Sequence, residues 1–190
     1  MYLSKSRYDE IEHEVYYMLE ECKIDVFPID PFEIARSLGY HVVAYSDLPI
    51  DKWCDVYDES VDGCSEYLLN PETGMYEYYI YYNDVDSGWQ RQRWTILHEI
   101  GHIYLGHHDM DISYERAESE ANYFAKYSIA PYPLINHAKC EDPNEISNTF
   151  DVSWEASCYI FDSFKKWMIF GPPEYVENEI KILALFHIAA

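Results

Sequence analysis

Basic residues are scarce in this 190-residue chain. Thirteen Lys and Arg stand against 35 Asp and Glu, for a formal net charge of −22. So acidic a chain repels phosphate backbones, which argues against direct nucleic-acid binding. Long apolar runs are also missing: none approaches the ~20 residues needed to span a bilayer, so no membrane insertion is expected. Met1 to Glu12 is polar and charged and lacks the apolar stretch of an export signal, which points to the cytoplasm. The five cysteines (Cys22, Cys54, Cys64, Cys140, Cys158) are odd in number, widely spaced and without a Cys-x-x-Cys pair. They read as reduced thiols, and a cysteine-based zinc site is not expected. The chain shows neither internal repeats nor low-complexity segments.

What is present is enough for a folded domain. Hydrophobic residues make up 48% of the chain, and the length suits one domain, with room for a small appended part. Twenty tyrosines are an unusual load. They are amphipathic, suited to filling a core and its rim or to lining a peptide groove.

Between Ser6 and Cys22, apolar residues at Ile11, Val15, Tyr16, Met18 and Leu19 fall on one helical face. Asp30 is placed to cap a helix over Pro31–Leu38, with Gly39 as its stop. His41–Tyr45 is β-branched and aromatic and reads as a strand. Asp47–Gly63 reads as an irregular acidic loop. Ser65–Leu69 and Met75–Tyr82 read as strands joined through the turn residues 70–74 (Asn-Pro-Glu-Thr-Gly). Alternation along the second strand places one pair from Tyr78, Tyr79, Tyr81 and Tyr82 inward and the other outward. Helices are expected at Gln90–Leu105, closed by Gly106, and at Tyr114–Ile129, bounded by Pro131 and Pro133. Two more are expected at Asn144–Phe150 and Ser153–Met168. The apolar tail Ile180–Ala190 fits either a helix or a strand. The expected class is α+β, with a small sheet in the first half and helices in the second. Asn144–Lys166 has a helix–turn–helix outline, but its second helix carries Glu155 and Asp162, with lysines only at its end. A recognition helix places Arg, Lys, Asn or Gln early, so a packing role is expected here.

Residues 95–102 read Thr-Ile-Leu-His-Glu-Ile-Gly-His. On a helix this H-E-x-x-H spacing points His98 and His102 the same way, one turn apart, and supplies two of the three protein ligands of a catalytic zinc. Glu99, at the edge of that face, is placed to act as general base toward a zinc-activated water and then to pass the proton to the leaving amine. Three residues compete for the third ligand position. Glu118 sits one helical turn before Asn122, which would orient a ligating His. Glu120 lies about 200° around the same helix from Glu118, so only one of the two can face the metal. His108 has the spacing of the longer three-His motif, but that motif needs Gly at position 105, where this chain has Leu. Glu118 is the favoured choice. His107 and His108 otherwise read as polar residues after a helix end. Arg91 and Arg93, just before the motif, are expected in structural ion pairs, with a grip on a substrate carboxylate or an oxyanion as the other option.

These motifs together resemble the ImmA/IrrE family of zinc metallopeptidases. The resemblance runs through Ile80-Tyr81-Tyr82-Asn83, the stretch Arg91–His102, and Glu118-x-x-Ala121-Asn122-x-Phe124-Ala125 ending at Ala130-Pro131. It extends to Ile24–Ile34, Gly39 and Phe150-Asp151-Val152-Ser153, and so covers about residues 8–165. Trp94 stands where the family often has Phe, and Ser128-Ile129-Ala130-Pro131 replaces its Leu-Leu-Met-Pro. The resemblance implies a zincin-like domain over residues 1–170, with a helical C-terminal part and an unassigned tail at 171–190. It implies Zn2+ on His98, His102 and Glu118, with Glu99 catalytic. It also implies a protein substrate, a helix-turn-helix transcriptional repressor, and an anti-repressor role in a phage, mobile element or stress operon. Two other readings remain: a zinc-containing protein that inactivates a repressor stoichiometrically without cutting it, and an accessory toxin–antitoxin component.

Overall fold

The computed structural model describes residues 3–189. In chain order the elements are α1 (Lys5–Glu21), α2 (Pro31–Ser37), β1 (His41–Ala44), α3 (Ile50–Glu59), β2 (Gly63–Leu69), β3 (Tyr76–Tyr82), α4 (Trp89–Tyr104), α5 (Tyr114–Ile129), α6 (Tyr132–His137), α7 (Pro143–Phe150), α8 (Trp154–Phe170) and α9 (Glu177–Leu185). The class is α+β and zincin-like, as expected from the sequence. Among the described residues no helix is long and apolar enough to cross a membrane. The chain forms two compact units.

The first unit spans Asp30–Ala125. Its sheet has the order β1-β3-β2: β1 lies parallel to β3, with Val42 opposite Ile80, and β2 lies antiparallel, with Ser65 opposite Ile80. The hairpin turn is closed by Asn70, whose Oδ1 accepts from the Glu72 amide at 2.9 Å, and by Gly74 at φ 71°. A left-handed residue at that point is what a tight turn needs and what glycine adopts without steric cost. Helix α4 packs against β2, β3 and α2, burying Ile96, Leu97 and Ile100 completely. The fit against the sheet is close. A Cβ at Gly63 would stand 2.5 Å from Thr95 Cγ2 and 2.6 Å from the Tyr81 carbonyl oxygen. Gly63→Ala is therefore expected to cost about 1–3 kcal/mol of unfolding free energy by overpacking, measurable by urea denaturation.

Two expectations fail in this unit. Asp47–Gly63 is not a loop throughout, because Ile50–Glu59 forms α3. Its acidity masked Trp53, Val56 and Tyr57, an i, i+3, i+4 set that faces the protein. Val56 is buried with Tyr45, Cys64 and Tyr81, and Trp53 and Tyr57 pack on that cluster. The β3 tyrosines consequently do not divide into an inner and an outer pair. Tyr81 is buried on the α3 side, and on the other face Tyr82 meets the Phe32 ring edge-on at 5.6 Å. A central strand covered by helices on both faces loses the alternation of a half-exposed strand.

The second unit comprises Ser4–Ile29 and the chain from Lys126 onward. The five residues read as the apolar face of α1 are all buried. Helix α9 packs on α1 and α6, and α8 packs on α6 and α7. Asp142 and Ser153 cap α7 and α8 by accepting from the amides of Glu145 and Ala156. Between those helices Asp151 adopts the left-handed region at φ 50°. Residues 180–185 of the apolar tail belong to helix α9, which begins at Glu177. Ala190, and Met1 and Tyr2 at the other end, lie outside the described residues. Helix α6 was not expected: Pro131 and Pro133, read as the end of α5, serve as the N-cap and an early position of a new helix, where a missing N–H costs nothing.

Candidate metal centre

Helix α4 carries His98 and His102 on one face, and α5 brings Glu118 to meet them. Close approach of these helices depends on Gly101, where a Cβ would already stand 3.1 Å from the Phe124 ring. The two imidazole Nε2 atoms are 3.1 Å apart, Glu118 Oε1 lies 3.2 Å from that of His102, and Oε2 lies 3.6 Å from that of His98. Among the described residues these three side chains form the group whose donor atoms can share a metal ion. The spacing fits one: donors about 2.0–2.2 Å from a tetrahedral zinc stand roughly 3.3–3.6 Å from each other. The charges fit as well. Burial, reinforced by the neighbouring His98 and His107, lowers the His102 pKa to about 4, leaving its ring neutral at physiological pH. The bond to His98 holds Glu118 below the usual carboxylate range. Burial would lower the His98 pKa, but Glu118 and Glu99 outweigh it and the pKa is raised, so a metal entering here competes with a proton. Asn122 hydrogen-bonds His98, and its Nδ2 donates to the backbone carbonyl oxygen of Glu118, one turn earlier on α5, at 2.8 Å.

Glu99 is 7% exposed and accepts a hydrogen bond from Ser65 Oγ at 2.7 Å. Burial raises its pKa, and the bond from Ser65 opposes part of that rise. Ser65 comes from β2, an edge strand, and its hydroxyl also lies 3.2 Å from His108 Nε2. Because that hydroxyl donates to Glu99, it accepts from His108. The cleft around these groups has a volume of about 730 Å³, is open to solvent and has Glu59, Asp62, Glu99 and Glu118 in its lining.

Two of the candidate third ligands lie elsewhere. His108 points to Ser65. Glu120 is fully buried on the other side of α5, where its two oxygens meet His107 at 3.2 Å and Arg116 at 2.8 Å. Glu118 and Glu120 thus face different sides of α5, and it is Glu118 whose oxygens stand beside His98 and His102. Arg91 forms a two-pronged pair with Asp62 at the cleft wall (Nε to Oδ1, 2.7 Å), and the guanidinium holds Asp62 below its ordinary pKa. Arg93 is buried. Sequence reasoning missed Ser65, because its role depends on the register that sets β2 beside α4. It also read His107 as an ordinary residue past a helix end. Gly106, at φ 73°, turns the chain back so that His107 Nδ1 comes within 3.1 Å of His102 Nδ1. A glycine after a helix signals such a turn but not where it leads.

The family model described as Peptidase_M78, IrrE N-terminal-like domain, matches residues 57–161, a span that contains every residue of this centre. Among curated proteins none matches the chain.

Proposed function

The chain belongs to the Peptidase_M78 family of IrrE N-terminal-like domains, a metallopeptidase family, and from that premise we propose that it is a zinc-dependent endopeptidase acting in the cytoplasm on a protein substrate. The observation that carries this reading is the convergence of His98, His102 and Glu118 in an open cleft beside a buried carboxylate, Glu99. A purely structural metal site is closed by four protein ligands and has no use for such a base.

Zinc, when bound, would supply a Lewis acid that polarises a peptide carbonyl and acidifies a water molecule. The chain's own residues do the rest. His98, His102 and Glu118 would hold the ion, at a cleft that is open to solvent. Glu99 takes the proton of the attacking water and returns it to the departing amine. Its raised pKa keeps the carboxyl nearer to neutrality than an exposed glutamate, which suits a group that must both accept and release a proton. Ser65 fixes one Glu99 oxygen and leaves the other for the proton. Strand β2, at the sheet edge beside the cleft, offers backbone groups to an extended substrate segment.

We further propose a helix-turn-helix repressor as the substrate. The net charge of −22 and the carboxylates lining the cleft suit a basic DNA-binding protein. The test is to incubate candidate repressors at sub-stoichiometric ratios of this protein. Catalytic disappearance of intact repressor supports the reading. Loss of repressor function only at equimolar ratio, with the chain uncut, would replace it with stoichiometric sequestration.

Ser65→Ala provides a finer check. A hydrogen bond to a charged acceptor is worth about 1.5–3 kcal/mol, so kcat/KM near neutral pH is expected to fall about 10-fold or more. The Ser65 bond favours the ionised form of Glu99, and its loss raises the Glu99 pKa further. The acidic limb of the pH profile should therefore move to higher pH.

A further inference from the structure

We propose that His107 and Glu120 are positioning residues that lock the ring and proton of His102 for metal binding. The inference rests on the reading that His98, His102 and Glu118 hold zinc. The ring of His102 presents Nε2 to His98 and Glu118 and Nδ1 to His107, whose own Nδ1 is 3.1 Å away. Two imidazole nitrogens at that distance are joined by a single proton. A neutral His102 whose Nε2 lone pair is committed to a metal carries its proton on Nδ1, so His102 donates and His107 Nδ1 accepts. His107 must then carry its own proton on Nε2. That nitrogen lies 3.2 Å from Glu120 Oε2, which accepts it. The other Glu120 oxygen accepts from Arg116 Nε at 2.8 Å.

This proton arrangement satisfies every bond from His102 through His107 and Glu120 to Arg116, and it frees Nε2 for the ion. The opposite direction would place the His102 proton on Nε2, in the middle of the donor set. The side chains of His107 and Glu120 are 3% and 0% exposed, so water does not compete for these bonds. A carboxylate behind a histidine that ligates a metal fixes the ring and raises its basicity. Here that device is extended by one intervening imidazole. His98 is served separately, by Asn122.

The experiment measures Zn2+ affinity by chelator competition, and the visible spectrum with Co2+ in its place, for wild type, His107→Phe, His107→Asn and Glu120→Gln. Circular dichroism of the metal-free proteins confirms folding. Glu120→Gln keeps the shape but turns one acceptor into a donor facing a donor. His107→Phe removes both bonds. His107→Asn keeps an acceptor oxygen near the position of Nδ1. The expected result is an affinity loss of about 10–100-fold in Glu120→Gln and His107→Phe, partial rescue in His107→Asn, and altered Co2+ bands in the first two. Wild-type affinity and an unchanged Co2+ spectrum in folded Glu120→Gln and His107→Asn would overturn the proposal, whether or not His107→Phe folds. Absence of metal binding in wild type itself would overturn the metal-site reading and this inference with it, an outcome distinct from the first.

Discussion

Glu99→Gln is expected to end peptide hydrolysis and leave the metal in place. The substitution keeps volume and one acceptor but removes the proton-accepting oxygen. Positioned general acid–base catalysis contributes roughly 10²–10⁴-fold, and Glu99 is assigned both halves of it, so kcat should fall by about 10³-fold or more. Glu99 is buried beside His98 but is not one of the three converging donors, so the zinc content should match wild type. Ser65 can still donate to the Gln carbonyl oxygen, and stability should change little. A variant that cleaves at the wild-type rate would remove Glu99 from the mechanism. A variant that loses zinc would mean that its carboxylate belongs to the donor set.

The second large effect is on stability. The donor atoms come from two helices, α4 and α5, so an ion joining them binds the folded unit and not the unfolded chain. Free zinc at about 1,000 times its dissociation constant would add about 4 kcal/mol. For chains of 150–250 residues each kcal/mol moves the melting temperature by roughly 2–4 °C, so zinc is expected to raise the melting transition of the chain by about 8–16 °C. The shift should vanish in Glu118→Ala, which leaves two histidine ligands. Calorimetry with and without a chelator reads both. Equal shifts in wild type and Glu118→Ala would move the ion's site elsewhere.

How much of this was legible in the sequence follows from how far each signal reaches. The helix that carries His98 and His102 was legible because their spacing is a local, single-helix pattern on a segment whose other faces are apolar. Glu118 was legible for the same reason, through Asn122 one turn later and Glu120 facing away. Helix α3 was not, because Asp51, Asp55, Asp58 and Glu59 dominate the composition of a stretch in which Trp53, Val56 and Tyr57 carry the packing. Helix α6 was hidden by prolines, which end one helix and begin another with equal ease. Ser65 and His107 act through tertiary placement. Ser65 needs the β2–β3 register, and His107 needs the left-handed turn at Gly106. Neither leaves a periodic trace along the chain.

The most direct test of the central claim is elemental analysis of the purified protein after metal removal and zinc add-back, in wild type and Glu118→Ala. The site described here predicts close to one zinc per chain in wild type and a loss in Glu118→Ala exceeding the roughly 10–100-fold weakening that follows removal of an outer hydrogen-bond partner. A wild-type protein that takes up no zinc, or a Glu118→Ala variant that keeps it fully, would contradict the account.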